Sequence, residues 1–201
     1  MSGVDEGRSR ALVPQATCLS WYFLPVTDFD QAFPPLLTKL HHLDFDYDEG
    51  NGIDFEPYQE FQSAEDNADW IQAWTGNKSL TGSEYRVFGQ DGTGGYAAFW
   101  LVRPDGELLA QPIVFFGSEG EVGLVASDFG DYLWLLAGGF GPYEAVAYGD
   151  GDDDSERPPS PAFTEFAARH AAAQKKSARE VLDAVRAEFP DFEASIRALC
   201  R

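Results

Sequence analysis

Asp44, Asp46 and Asp48 alternate along the chain in the pattern that opens an EF-hand loop, where carboxylates at the first, third and fifth positions ligate calcium. The sixth position of that loop is a glycine and the twelfth a glutamate. Here they are Glu49 and Phe55, with Gly50 one place late, so the spacing predicts no metal. Asp44, Asp46, Asp48 and Glu49 instead read as an exposed acidic face suited to a basic protein partner. Asp152, Asp153 and Asp154 form a second, weaker cluster of the same kind within an acidic linker.

The remaining chemical candidates fail on spacing. Gly89, Gly92, Gly94 and Gly95 imitate a phosphate loop, but a strand follows them rather than a helix N-terminus, and no Lys-Ser or Lys-Thr pair is present. A hairpin turn is the expected structure. His41 and His42 are adjacent, so their side chains diverge, and His170 falls on an alanine-rich helix face. No Gly-x-Ser-x-Gly nucleophile motif occurs. Cys18 and Cys200 match no metal or redox spacing. The reading is therefore of a non-enzymatic protein with no catalytic residue, cofactor or metal; an unrecognised enzyme, which would need His41 or His170 bonded to a carboxylate and facing a nucleophile, is the third reading.

The elements that would carry such a surface are most legible over residues 85–139. Aromatic and apolar runs separated by Gly92 to Gly95, Pro104-Asp105-Gly106 and Gly117 to Gly120 predict strands at about 85–90, 96–102, 108–116 and 121–126, paired successively as an antiparallel meander. At Ser127 the periodicity becomes helical. Ser127 is the expected N-cap and Gly138 the expected left-handed stop of a short, very apolar helix whose Phe129, Leu133 and Leu136 share a face.

Phe88-Gly89-Gln90-Asp91-Gly92, then Pro112-Ile113-Val114-Phe115-Phe116, then Val125-Ala126-Ser127-Asp128-Phe129 leading into Tyr132-Leu133-Trp134-Leu135-Leu136, resembles the SUKH superfamily. That superfamily includes immunity proteins of bacterial polymorphic-toxin systems and a fungal regulator of cell-wall assembly. The resemblance covers the middle third of the chain. Family members open with a helix, a Leu-Pro pair and an Asn-Gly-Gly turn, of which only Leu24-Pro25 and Gly50-Asn51-Gly52 are echoes. It implies an α+β domain that binds proteins, and most concretely a cytoplasmic immunity protein that neutralises a toxin by occluding its active site.

Elsewhere, residues 1–15 are polar and expected to fray, and residues 16–149 make the α+β domain. Residues 17–24 read as a strand. Asp28 or Asp30 can cap a helix bearing Phe33, Leu36, Leu37 and Leu40, with Pro34-Pro35 limiting its start. The alternation of Leu43, Phe45 and Tyr47 with the three aspartates predicts a strand with those apolar residues inward. Ser63 caps a helix that buries Trp70, Ile71 and Trp74 and stops at Gly76.

Residues 150–160 form an acidic, proline-containing linker, and residues 161–201 a helical extension. Its features are Phe163, Phe166 and His170 on one face, a Ser177–Glu180 capping box, and a break at Pro190. Two placements are open to this extension: packed back on the sheet, or apart as the docking element of a regulatory or scaffold module.

Charge bounds the partners. Thirty-four acidic against fourteen basic residues among 201 give a formal charge of −20, which repels nucleic-acid phosphates and anionic membranes. The expected partner is a protein, and a basic one gains from the field. Met1 to Arg10 has no apolar run, so neither signal peptide nor anchor is expected, and the location is read as cytoplasmic.

Overall fold

The computed structural model describes residues 30–149, 157–171 and 174–201. The expected strand at 17–24, the Asp28 cap, Leu24-Pro25 and Cys18 lie outside them, as do Asp152, Asp153 and Asp154. The fold is α+β: a five-stranded antiparallel sheet in the order β1-β2-β3-β4-β5, flanked by helices. The strands are β1 (Glu56–Pro57), β2 (Tyr85–Gln90), β3 (Tyr96–Trp100), β4 (Ile113–Phe116) and β5 (Val122–Ala126). The helices are α1 (Pro35–Leu40), α2 (Ala64–Thr75), α3 (Phe129–Ala137), α4 (Pro142–Ala147), α5 (Pro161–His170), α6 (Ala178–Glu188) and α7 (Phe192–Arg197).

The meander is as the glycine turns predict, except that β3 ends at Trp100 and β4 begins only at Ile113. Residues 108–110 form a 3-10 turn ahead of β4, because the Leu108 and Glu107 carbonyls take the Gln111 and Ala110 amides instead of a neighbouring strand doing so. Every residue of β4 and β5 is buried, so both faces of the sheet are covered and the strands read as continuous apolar runs. Ala97, Phe99, Ile113 and Phe115 point into one core layer with α1, α3 and α5. Tyr85, Val87, Ala98, Val114 and Phe116 point into the other, with α2, α6 and α7. Pleat alternation sorts the two sets.

Helix α3 is capped by Asp128, whose carboxylate accepts the Asp131 amide at 2.9 Å, one residue later than Ser127. The left-handed residue after it is Gly139, φ 84°, whereas Gly138 keeps φ −79°. All but one of its residues are buried, since it lies between the sheet and α5. Ser63 caps α2 by accepting from the Asp66 amide, and Gly76 ends it at φ 69°, as its residues predict. At α1 the cap differs: Asp30 accepts the Ala32 amide in a local turn, and the helix starts at Pro35, whose missing N–H costs nothing in the first turn.

Residues 43–48 are not a strand. β1, the outer strand, is two residues long and ends at Pro57, so no ladder is available to them. Leu43 and Phe45 still pack on the core, but Tyr47 is 57% exposed rather than inward.

The C-terminal helices pack back on the domain. Phe163 and Ala167 of α5 lie against α3, Val181 and Leu182 of α6 join the same core layer, and Val185, Phe192 and Ile196 enter the second. Helix α6 runs beside β5 and covers the last strand. The Ser177–Glu180 capping box is formed in both directions, at 3.2 and 2.7 Å. The chain end is fastened to α2 through the Arg201 amide on the Thr75 carbonyl and the Asn77 amide on Leu199.

Candidate functional site

Asp44, Asp46, Asp48 and Glu49 are all exposed, on a segment that runs from the core at Leu43 and Phe45 to the core again at Ile53. Its shape is set by its own hydrogen bonds. The Asp46 carboxylate accepts the Asp48 amide at 2.9 Å, the Tyr47 carbonyl accepts both Gly50 and Gly52, and the Asp46 carbonyl accepts Ile53. Asp48 and Glu49 adopt positive φ, 41° and 51°, which turns the chain sharply at its most acidic point. Gly52 has no room for a side chain, since a Cβ there would sit 2.0 Å from the Asp46 carbonyl oxygen.

Tyr47 stands out from this loop among the carboxylates. A second tyrosine, Tyr148 at the end of α4, is 52% exposed, and these are the two large hydrophobic residues that the described surface exposes. Arg157 connects the two regions. Its Nη1 donates to the Gly52 carbonyl at 2.6 Å, and its guanidinium lies 5.5 Å from the centre of the Tyr148 ring and 5.7 Å from that of Phe140. Arg157 therefore ties the segment that closes the acidic loop to Tyr148. Tyr148 in turn packs edge-on against Tyr143, whose hydroxyl is pushed up to about 12, first by its hydrogen bond with Tyr148 and then by burial.

Beneath the face lies Glu144, buried, its two oxygens accepting the Asp54 amide at 3.0 Å and the Gly141 amide at 2.9 Å. Burial raises its carboxyl above the usual carboxylate range, against those two N–H groups and Arg157, 3.8 Å away. It is a structural tie between the 52–54 segment and the start of α4.

The residues with catalytic side chains are occupied otherwise. His41 is buried among Phe33, Phe45, Phe55 and Phe88, with Nδ1 donating to the Tyr58 carbonyl at 2.8 Å and Nε2 unpartnered. Burial lowers its pKa to about 4, so it is neutral at pH 7. His42 is exposed, and His170 packs on Phe166 with ring centres 4.6 Å apart. Asp91 fills the glycine turn from within: its Oδ1 accepts the amides of Thr93 and Gly95 at 2.9 and 2.7 Å, while Asp54 accepts that of Gly92. The N–H groups that a phosphate would need are thus taken by the chain's own carboxylates.

Among the described residues no group of three or more histidine, cysteine, aspartate or glutamate side chains is placed to hold a metal, and no helix is long and apolar enough to cross a membrane. Sequence reasoning missed Tyr148 and Arg157 and turned Tyr47 the wrong way. Nothing local signals where Tyr148 and Arg157 land. No protein-family model, curated protein or solved structure matches this chain.

Proposed function

We propose that this chain is a non-enzymatic, cytoplasmic protein-binding domain of SUKH type that neutralises a basic toxin by laying its acidic, tyrosine-bearing face over the toxin's active site. The observation that carries this is the loop around Tyr47: four exposed carboxylates surround an exposed aromatic on a backbone held by its own hydrogen bonds and by Arg157. Tyrosine supplies contact area at low entropic cost, and rigid presentation lowers the cost of ordering an interface. The field of a −20 chain would steer a cationic partner toward the face and accelerate encounter by about ten- to a thousandfold at low salt.

Docking through the C-terminal helices has less to recommend it. Val181, Leu182, Val185, Phe192 and Ile196 are already buried in the domain's own core, so the main apolar faces of α6 and α7 are taken. The test is co-expression with the product of the neighbouring gene. A stable complex and rescue of growth are expected; no toxin-like neighbour and no rescue of any toxin would remove the reading.

A further inference from the structure

The ring of His41 meets both ends of the segment that carries the acidic loop. Phe45, at the start of that segment, has its ring centre 6.3 Å from that of His41, and Phe55, just past its end, 6.1 Å. Phe33 and Phe88 approach at 5.1 and 5.9 Å. His41 is the C-cap residue of α1 and 7% exposed, and its Nδ1 is held by the Tyr58 carbonyl. Its Nε2 is buried without a hydrogen-bond partner.

A proton on Nε2 would make a buried cation with an unpaired N–H, and phenylalanine rings offer it no acceptor oxygen. The groups around the ring do not offset that cost. His42, the next residue, opposes the proton by like charge. Tyr58 presents a carbonyl already engaged by Nδ1, and its hydroxyl donates to Gln90. From the acidic segment and β2 the ring meets Phe45, Phe55 and Phe88.

These neighbours are held with unequal firmness. Helix α1 buries Leu37 and Leu40 completely, and the Tyr58 amide donates to the Phe88 carbonyl of β2 at 3.0 Å. Residues 43–53 belong to no strand. They are held by Leu43, Phe45 and Ile53 on the core, by Arg157 on Gly52 and, just beyond, by Glu144 on the Asp54 amide. Lifting Phe45 with its segment is therefore the opening that brings water to Nε2 at the lowest cost.

We propose that His41 is an acid-operated latch on the acidic loop: with a proton on Nε2 the segment 43–53 lifts from the core, and Tyr47 and its carboxylates lose their fixed geometry. Release of a bound partner by this route rests on the reading given above; the latch itself belongs to the chain alone. Burial lowers the His41 ring from 6.5 to about 4, so the closed form is favoured in full above pH 6.5 and loses ground as pH falls toward 4. Any state that opens Nε2 to water gains population by about thirtyfold between pH 7.5 and pH 5.

The test is hydrogen exchange of the full chain without a partner, followed by NMR between pH 7.5 and pH 5 in low urea and corrected for the intrinsic rate. The amides of Ile53 and Asp54, bonded to the Asp46 carbonyl and to Glu144, are expected to open about thirtyfold more at pH 5 with little dependence on urea. Those of β4 should open by a steeply urea-dependent global route. Glu144 and the carboxylates of the segment titrate as well. His41→Asn, which keeps a donor for the Tyr58 carbonyl and takes up no proton, is therefore expected to remove most of the rise. The His41 ring resonance of the wild type needs no variant, and its change with pH should track the opening. An equal rise in the asparagine variant, opening of α1 in place of the loop, or loop amides sharing the urea dependence of β4 would each overturn the inference. So would a His41 ring that is protonated while the segment stays closed. Failure of toxin rescue would leave all of these outcomes as they are.

Discussion

The guanidinium of Arg157 donates to the carbonyl of Gly52 at 2.6 Å across 105 residues of sequence. This one contact fastens the acidic loop to the end of α4, because the same guanidinium also lies over Tyr148 and Phe140. Arg157→Ala removes a charge-assisted hydrogen bond and two ring contacts and takes the nearest cation from Glu144, at a cost of about 2 kcal/mol. Urea denaturation should show that loss, and hydrogen exchange should show faster exchange at Gly52 and Ile53. Arg157→Lys should recover less than half of it, since an ammonium cannot spread over two rings. Full stability in the alanine variant would mean that the loop holds its shape alone.

Binding should separate from stability at the loop itself. Tyr47→Ala removes an aromatic that packs on little of the core, so its melting temperature should stay close to that of the wild type while partner affinity falls, by about 2 kcal/mol if Tyr47 is an anchor of the interface. Replacing Asp44 and Glu49 by lysine should act mainly on the association rate, with the difference shrinking as salt is added. Surface plasmon resonance at two ionic strengths separates the two effects; an unchanged association rate in the lysine variant would exclude this face.

His41 makes stability depend on pH in a defined window. Its pKa is lowered in the folded state to about 4 by burial, against an unfolded value of 6.5, so the unfolded chain binds the extra proton between those limits. The contribution is fully present above pH 6.5 and is lost as pH falls toward 4, amounting to roughly 3 kcal/mol. His41→Phe cannot take up the proton. The difference in unfolding free energy between wild type and variant should therefore change with pH across this window and level off on either side. A difference that stays constant from pH 7 to pH 4 would show that His41 does not hold its neutral form in the fold.

Two basic residues three positions apart should differ widely in what their removal costs. Lys176 meets Asp131, whose side chain is 4% exposed, so Lys176→Ala strands a buried carboxylate and should cost about 3 kcal/mol. Arg179 pairs with Asp183 at 3.8 Å with both side chains 67% exposed, and Arg179→Ala should change stability by no more than about 0.5 kcal/mol. Thermal and chemical denaturation of the two variants side by side checks the ordering. Equal costs would mean that burial of Asp131 does not decide the matter.

What the sequence by itself determined is what neighbours along the chain can decide. The hairpins of the meander, the Ser63 cap and the Ser177–Glu180 capping box each involve residues a few positions apart, so their types and spacing suffice. Where two neighbours are equally able, geometry chooses: Asp128 takes the cap of α3 from Ser127, and Gly139 takes positive φ from Gly138. The acidity of residues 44–49 was also legible, since three aspartates and a glutamate stay in water wherever the loop runs.

Only the tertiary structure decided that residues 43–48 are a loop. Their alternation suits a strand, but a strand needs a partner, and the sheet ends at the two residues of β1. The same holds for the C-terminal helices, whose apolar faces have no defined destination until the sheet offers a second side and a last strand to cover. The tie that Arg157 makes between Gly52 and Tyr148 depends on a contact between segments roughly a hundred residues apart, which no local pattern encodes.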